Sequence, residues 1–153
     1  MPVRNVIAAR PGGTTGGPGS PGLERALARV GDRWTLLIVQ ALLGGPRRFN
    51  ELHGELGGIA ATVLTQRLRQ LESTRLVVAE AYSSRPVRYS YRLTAMGESL
   101  AGALRLLAHW GNDHGGEGDA IVHDACGTPA EPRWWCPTCE HVVADDELDE
   151  QRW

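Results

Sequence analysis

Near the carboxyl end, His123-x2-Cys126-x9-Cys136-x2-Cys139 puts four soft or borderline ligands within 17 residues. A Cys-x2-Cys turn with a second ligand pair upstream is the spacing by which a short segment wraps a tetrahedral zinc ion. Cys126-Gly127 and Pro137 supply the turns that would aim the sulfurs inward. His141 lies two residues after Cys139 and competes with His123 for the fourth position, His123 having the matching spacing. A structural zinc is therefore the expected cofactor. Free thiols in an acidic tail and a reversible Cys136 to Cys139 disulfide are the alternatives. An enzyme is not expected: the pair lacks the strand and helix context of a redox motif, and four protein ligands leave no open metal position.

A second constellation lies in the middle of the chain. In the run from Ile59 to Leu71, Leu64, Leu68 and Leu71 share one face at helical spacing, while Thr62, Gln66 and Arg69 share the opposite one. This predicts a helix with a core side and a reading side. Downstream, residues 76–82 and 87–93 read as two strands around Ser83-Ser84-Arg85-Pro86, a turn with an arginine at its tip. Helix, helix and hairpin make a winged helix-turn-helix, a mainly α fold with a small β-hairpin wing, followed here by a short Cys-rich, ribbon-like tail.

In that architecture the reading helix enters the major groove of double-stranded DNA by its amino-terminal end. Thr62, Thr65 and Gln66 are then placed to meet base edges, and Arg69 can reach a guanine or a phosphate. Arg85 and Arg88 on the wing would follow phosphates and add affinity more than sequence choice. Arg47, Arg48 and Arg67 have a weaker claim. The plain alternative is a small α+β core whose surface arginines only solubilise it.

Charge distribution favours the DNA reading over the plain one. The net charge is −2, yet residues 23–110 carry 12 Arg against 7 Asp and Glu, whereas residues 111–153 carry 2 Arg against 11. All 16 basic residues are arginine, the side chain that pairs bidentately with phosphate and guanine. A length of 153 residues suits one domain with tails. The expected organisation is a disordered Gly/Pro-rich arm over 1–22, a DNA-binding and dimerisation domain over 23–110, and the acidic tail over 111–153. No apolar run approaches the length of a membrane span, no signal peptide is evident, and the three cysteines suit no secreted disulfide framework, so a cytoplasmic protein without a membrane partner is expected.

Several elements must hold these residues in place. A short amphipathic helix is predicted over 23–30, with Asp32 capping an apolar helix over 34–43 that stops at Gly44-Gly45-Pro46. Residues 47–49 suit a short strand, Asn50 a cap for a helix over 51–56, and Gly57-Gly58 the turn into the reading helix. Thr94 would cap a final long helix over 95–110 whose apolar stripe is wider than a small domain needs. Leu23, Leu27, Leu100, Leu104 and Leu107 are accordingly assigned to a homodimer interface. Trp34, Phe49 and Tyr91 read as core; whether a small-molecule effector binds where these aromatics meet the last helix is left open by the sequence.

The linked motifs Gly31-Asp-Arg-Trp-Thr-Leu-Leu-Ile38, Arg48-Phe-Asn-Glu-Leu52, Leu64-Thr-Gln-Arg-Leu-Arg-Gln-Leu71 and Pro86-Val-Arg-Tyr-Ser-Tyr-Arg-Leu-Thr94, with Gly58-Ile59 and Gly97, resemble the HxlR family of winged-helix regulators, a branch related to the MarR type. The resemblance covers roughly residues 23–110. It implies a homodimer, formed by the first and last helices, that binds a two-fold symmetric operator as repressor or activator. The tail is similar, less specifically, to the His-x2-Cys-Gly and Cys-x2-Cys ends of longer members. Four positions depart from the pattern: Pro21 replaces the redox cysteine of many relatives, Ala60 and Ala61 replace polar residues at the start of the reading helix, and Arg75 stands where relatives often have glycine. If the backbone at 75 has positive φ, Arg75 carries a modest strain. The alternative function is a protein-interaction module with degenerate DNA binding and a metal-binding tail.

Overall fold

The computed structural model describes residues 20–115 and 120–148. Most of the expected arm, residues 1–19, therefore lies outside the described residues. Ser20 caps the first helix, α1 (Pro21–Val30), by accepting a hydrogen bond from the Leu23 N–H. The helix thus starts two residues before its predicted position, because a proline at its first position costs no hydrogen bond there. Asp32 caps α2 (Arg33–Leu43), its Oδ1 accepting from the Trp34 and Thr35 N–H groups at 3.1 Å each. The helix ends at Gly44-Gly45-Pro46, with Gly45 at a φ of 115° that few other residues adopt.

Next come β1 (Arg47–Arg48) and α3 (Phe49–Glu55). The expectation that Asn50 caps this helix is corrected: the cap is Arg48, whose N–H donates to Glu51 Oε2 at 2.6 Å, and Asn50 lies inside the first turn. Gly57 and Gly58, with φ of 40° and 81°, turn the chain into α4 (Ala61–Ser73). Then follow β2 (Val77–Ser84) and β3 (Val87–Leu93), paired antiparallel, with β1 added beside β3. The order helix, strand, helix, helix, strand, strand is that of a winged helix. A bulge at Tyr82 shortens the hairpin turn to Arg85-Pro86, tighter than the four-residue turn predicted.

The core gathers on one side of α4. Leu64, Leu68 and Leu71 are fully buried together with Ile38, Val39, Leu42, Leu52 and Ile59, and β2 and β3 close it with Val77 and Leu93. Trp34, Phe49 and Tyr91 are half-buried against this cluster, as expected of packing aromatics. Arg75 joins α4 to β2 at a φ of 60°, the positive value foreseen for this position, at a cost on the order of 1 kcal/mol.

The predicted long helix over 95–110 is not continuous. It divides into α5 (Ala95–Glu98) and α6 (Ala101–Gly115), the latter running five residues beyond the predicted end. Thr94 does cap the first piece, its Oγ1 accepting from the Gly97 N–H at 3.2 Å. The break has a local cause. Thr94 also donates from its N–H to Leu76 O and from Oγ1 to Arg75 O, which pins the start of α5 to the end of the α4–β2 turn. Gly97 is pressed so close to the Leu76 carbonyl that a Cβ there would lie 2.2 Å from its oxygen. α6 then leaves in a direction that keeps Leu100 and Leu104 half-buried on the core but buries none of its residues fully.

In the tail, β4 (Trp134–Cys136) and β5 (His141–Val143) form a separate two-stranded sheet. Among the described residues, no helix is long and apolar enough to cross a membrane.

Candidate nucleic-acid interface

The outward face of α4 carries Thr62, Gln66 and Arg69, all exposed, opposite the three buried leucines. Thr65 is half-buried and its hydroxyl donates to the Ala61 carbonyl at 2.8 Å, so only its lone pairs remain to meet a base. Ala60 caps the helix without a side-chain hydrogen bond, which leaves the first-turn N–H groups to solvent or to a phosphate.

The arginines of β1, α4 and the wing fall into two sets. Arg47 pairs with Glu55, Arg92 pairs with Glu80, and the Arg48 guanidinium lies 4.4 Å from the centre of the Tyr82 ring. Arg67 donates from Nη2 to Asp32 Oδ2 at 3.1 Å and from Nη1 to Gln70 Oε1 at 2.9 Å. Its Nε is also 3.1 Å from Asp32 Oδ1, at an angle that makes this contact electrostatic and not a hydrogen bond. Arg69, Arg85 and Arg88 belong to the other set. They are exposed and none forms an ion pair among the described residues.

This division gives a physical reason for the weaker claim of Arg47, Arg48 and Arg67, whose charges are already engaged. It also reveals a positioning device that sequence reasoning missed. Asp32 was legible as a helix cap; that its second oxygen holds Arg67, 35 residues away, was not. The pair ties the back of the reading helix to the start of α2. Beside it, burial, then the Glu72 carboxylate and the Tyr89 phenol, raise the Tyr91 phenol above its ordinary value, while Arg69 lowers it.

In the tail, His123 Nδ1 lies 3.3 Å from Cys126 Sγ, while Cys136 ends β4 and Cys139 lies in the turn between β4 and β5. The Thr128 side chain and N–H lower the Cys126 thiol below its ordinary value. The Cys139 N–H, the Cys139 thiol and the Thr138 N–H do the same for Cys136, while that same thiol pair raises Cys139. The candidate ligands thus meet as two pairs; among the described residues no three His, Cys, Asp or Glu side chains converge.

A family profile described as HxlR-like helix-turn-helix matches residues 29–119. The chain belongs to this family. The HxlR-like chain is 43% identical over 125 residues to an uncharacterised HTH-type transcriptional regulator of Mycobacterium tuberculosis, covering 78% of each. It is 30% identical to the HTH-type transcriptional regulator YodB of Bacillus subtilis, over 68% of this chain and 93% of that one. The solved reduced form of YodB superposes with a TM-score of 0.56 at 31% identity, over 66% of this chain and 99% of that one. The structure of PA1607 gives 0.71 at 27% identity, over 87% and 94%. This HxlR-like protein is accordingly a transcriptional regulator with a DNA-binding helix-turn-helix, and not an enzyme.

YodB has also been solved diamide-treated and quinone-bound. In the HxlR-like chain the position that the resemblance aligns with a redox cysteine is Pro21, the first residue of α1, and Cys126, Cys136 and Cys139 all lie in the tail. Phe49 and Tyr91 line an open hollow with Tyr82 and Tyr89 on the wing side. A largely apolar hollow of about 280 Å³ lies between Leu106 and His109 of α6 and Ile121 and Trp134 of the tail, with Arg105 and the paired Arg133 and Glu131 also in its lining.

Proposed function

We propose that this HxlR-like regulator works as a homodimer on a two-fold symmetric operator. The α4 helix of each protomer reads a major groove through Thr62, Gln66 and Arg69, and Arg85 and Arg88 hold neighbouring phosphates. The observation that carries this reading is the pattern on β1, α4 and the wing: there Arg47, Arg67 and Arg92 are paired with carboxylates and Arg48 lies over Tyr82, while Arg69, Arg85 and Arg88 form no ion pair among the described residues. An arginine with no carboxylate beside it gives up no ion pair when it meets a phosphate.

The dimer is supported by apolar surface that the described residues do not cover. Leu23 and Leu27 of α1 are 50% and 55% exposed, and Leu107 and Trp110 of α6 are 55% and 63% exposed. Leu100 and Leu104 turn partly inward, so they contribute less to a partner than the sequence assignment gave them. A symmetric pairing of α1 and α6 would cover this surface and set two reading helices side by side.

A gel shift against DNA from upstream of its own gene, repeated over a range of salt, tests the function. Binding should weaken steeply as salt rises. Leu27→Glu together with Leu107→Glu changes two exposed residues and should leave the fold intact while giving monomers. Affinity should then fall on the order of 100-fold, since the second half-site no longer binds intramolecularly. Wild-type protein that sediments as a monomer at micromolar concentration, or binds DNA no better than the double variant, would overturn the dimeric reading.

A further inference from the structure

The two ligand pairs of the tail sit in turns of one and the same backbone form. In the first, the Gly127 N–H donates to the His123 carbonyl at 2.7 Å and Gly127 has a φ of 68°. In the second, the Glu140 N–H donates to the Cys136 carbonyl at 2.8 Å and Glu140 has a φ of 55°. Each turn closes a small antiparallel hairpin in the same register: the His123 N–H donates to Thr128 O in one, and Cys136 pairs with His141 in the other. The outer part of the first hairpin is the Val122–Pro129 bridge. Laid on each other, the turns match His123 with Cys136, Cys126 with Cys139, and Thr128 with His141.

The spacing within the first pair fits a tetrahedral ion. With Zn–N and Zn–S bonds of ordinary length, two ligand atoms on one zinc are about 3.6 Å apart. His123 Nδ1 and Cys126 Sγ are 3.3 Å apart.

Burial supplies the independent argument. No described residue of the tail is fully buried, and Trp134 and Trp135 are more than half exposed. Isolated two-stranded hairpins are marginal in water, so two of them in sequence need a staple that packing does not provide here. Among the described residues the two pairs do not converge, and an ion bridging them would supply a long-range contact.

We propose that the tail is a zinc ribbon whose two turns close on one structural zinc through His123, Cys126, Cys136 and Cys139. The duplication decides the fourth ligand. His141 occupies the position of Thr128, one step past the turn, and is left out. With four protein ligands the ion has no open position, so its role is to fold the tail. The proposal does not rest on the dimeric DNA-reading function and can fail or stand without it.

The full-length chain, purified without chelator, is assayed for zinc, and the apoprotein is titrated with Co²⁺ alone. One zinc per chain and the visible absorption of a tetrahedral, thiolate-rich cobalt site are expected. Cys126→Ser, Cys136→Ser, Cys139→Ser and His123→Ala should each lose stoichiometric binding, while His141→Ala retains it. Tail proteolysis should rise in the four ligand variants with far-UV circular dichroism of the winged helix unchanged, which separates metal loss from global unfolding. Less than about 0.2 zinc per chain in wild type, without a cobalt spectrum, would overturn the site. Retention by His123→Ala with loss in His141→Ala would overturn the duplicated-turn assignment.

Discussion

Gly97→Ala is expected to cost about 3 kcal/mol and to lower the melting temperature by roughly 10 °C. The new methyl would sit 2.2 Å from the Leu76 carbonyl oxygen and 3.0 Å from Leu93 Cδ2. The carbonyl cannot retreat cheaply, because it accepts from the Thr94 N–H at 3.0 Å and Thr94 Oγ1 is fixed in turn on Arg75 O. Gly102→Ala is the control: nothing lies within 4 Å of a Cβ there, and in α6 alanine gains up to about 1 kcal/mol over glycine. Urea unfolding of both variants measures the difference. Equal stability of Gly97→Ala and wild type would show that α5 and the α4–β2 turn are not held as described.

The second large effect concerns Arg69. Arg69→Ala should cost on the order of 1 to 3 kcal/mol on the preferred operator and should alter the ranking of operator variants at one base position. Arg85→Ala and Arg88→Ala should weaken all sequences alike and reduce the salt dependence by roughly one unit each. The reasoning is positional. Arg69 extends from a helix whose back is fixed by Leu64, Leu68, Leu71 and the Arg67–Asp32 pair, so its reach is defined. The wing arginines lie by a two-residue turn, far from the core, and meet the backbone of the duplex. Quantitative gel shifts with a set of single-base operator variants provide the measurement. If all three variants bind every member as wild type does, the interface lies elsewhere.

Periodicity made the reading helix legible, since Leu64, Leu68 and Leu71 and their polar opposites recur at intervals that only a helix aligns. The hairpin was legible for the same local reason. Arg75 was readable because the family pattern puts glycine there, and the observed φ of 60° explains why. The features that escaped depend on residues far apart in sequence. Nothing near Asp32 or Arg67 announces that they pair across 35 positions. The break after Glu98 was hidden because Leu100, Leu104 and Leu107 keep a helical rhythm into α6, while its cause is the Leu76 carbonyl, supplied by another element. The start of α3 at Phe49 was masked by Asn50, a good capping residue that lost to Glu51 reaching back to Arg48.

The pinned junction of Thr94 and Gly97 against Arg75 and Leu76 also has a thermodynamic side. It ties the turn after the helix proposed to read DNA to α5, the short helix that leads into the one proposed for self-association, through close contacts of Thr94 and Gly97 with the backbone at Arg75 and Leu76. Two events that strain one rigid joint are linked, and the coupling free energy is the same in either direction. In the proposed dimer, an operator that re-aims α4 must therefore tighten or loosen the pairing of α6 by the factor that pairing changes operator affinity.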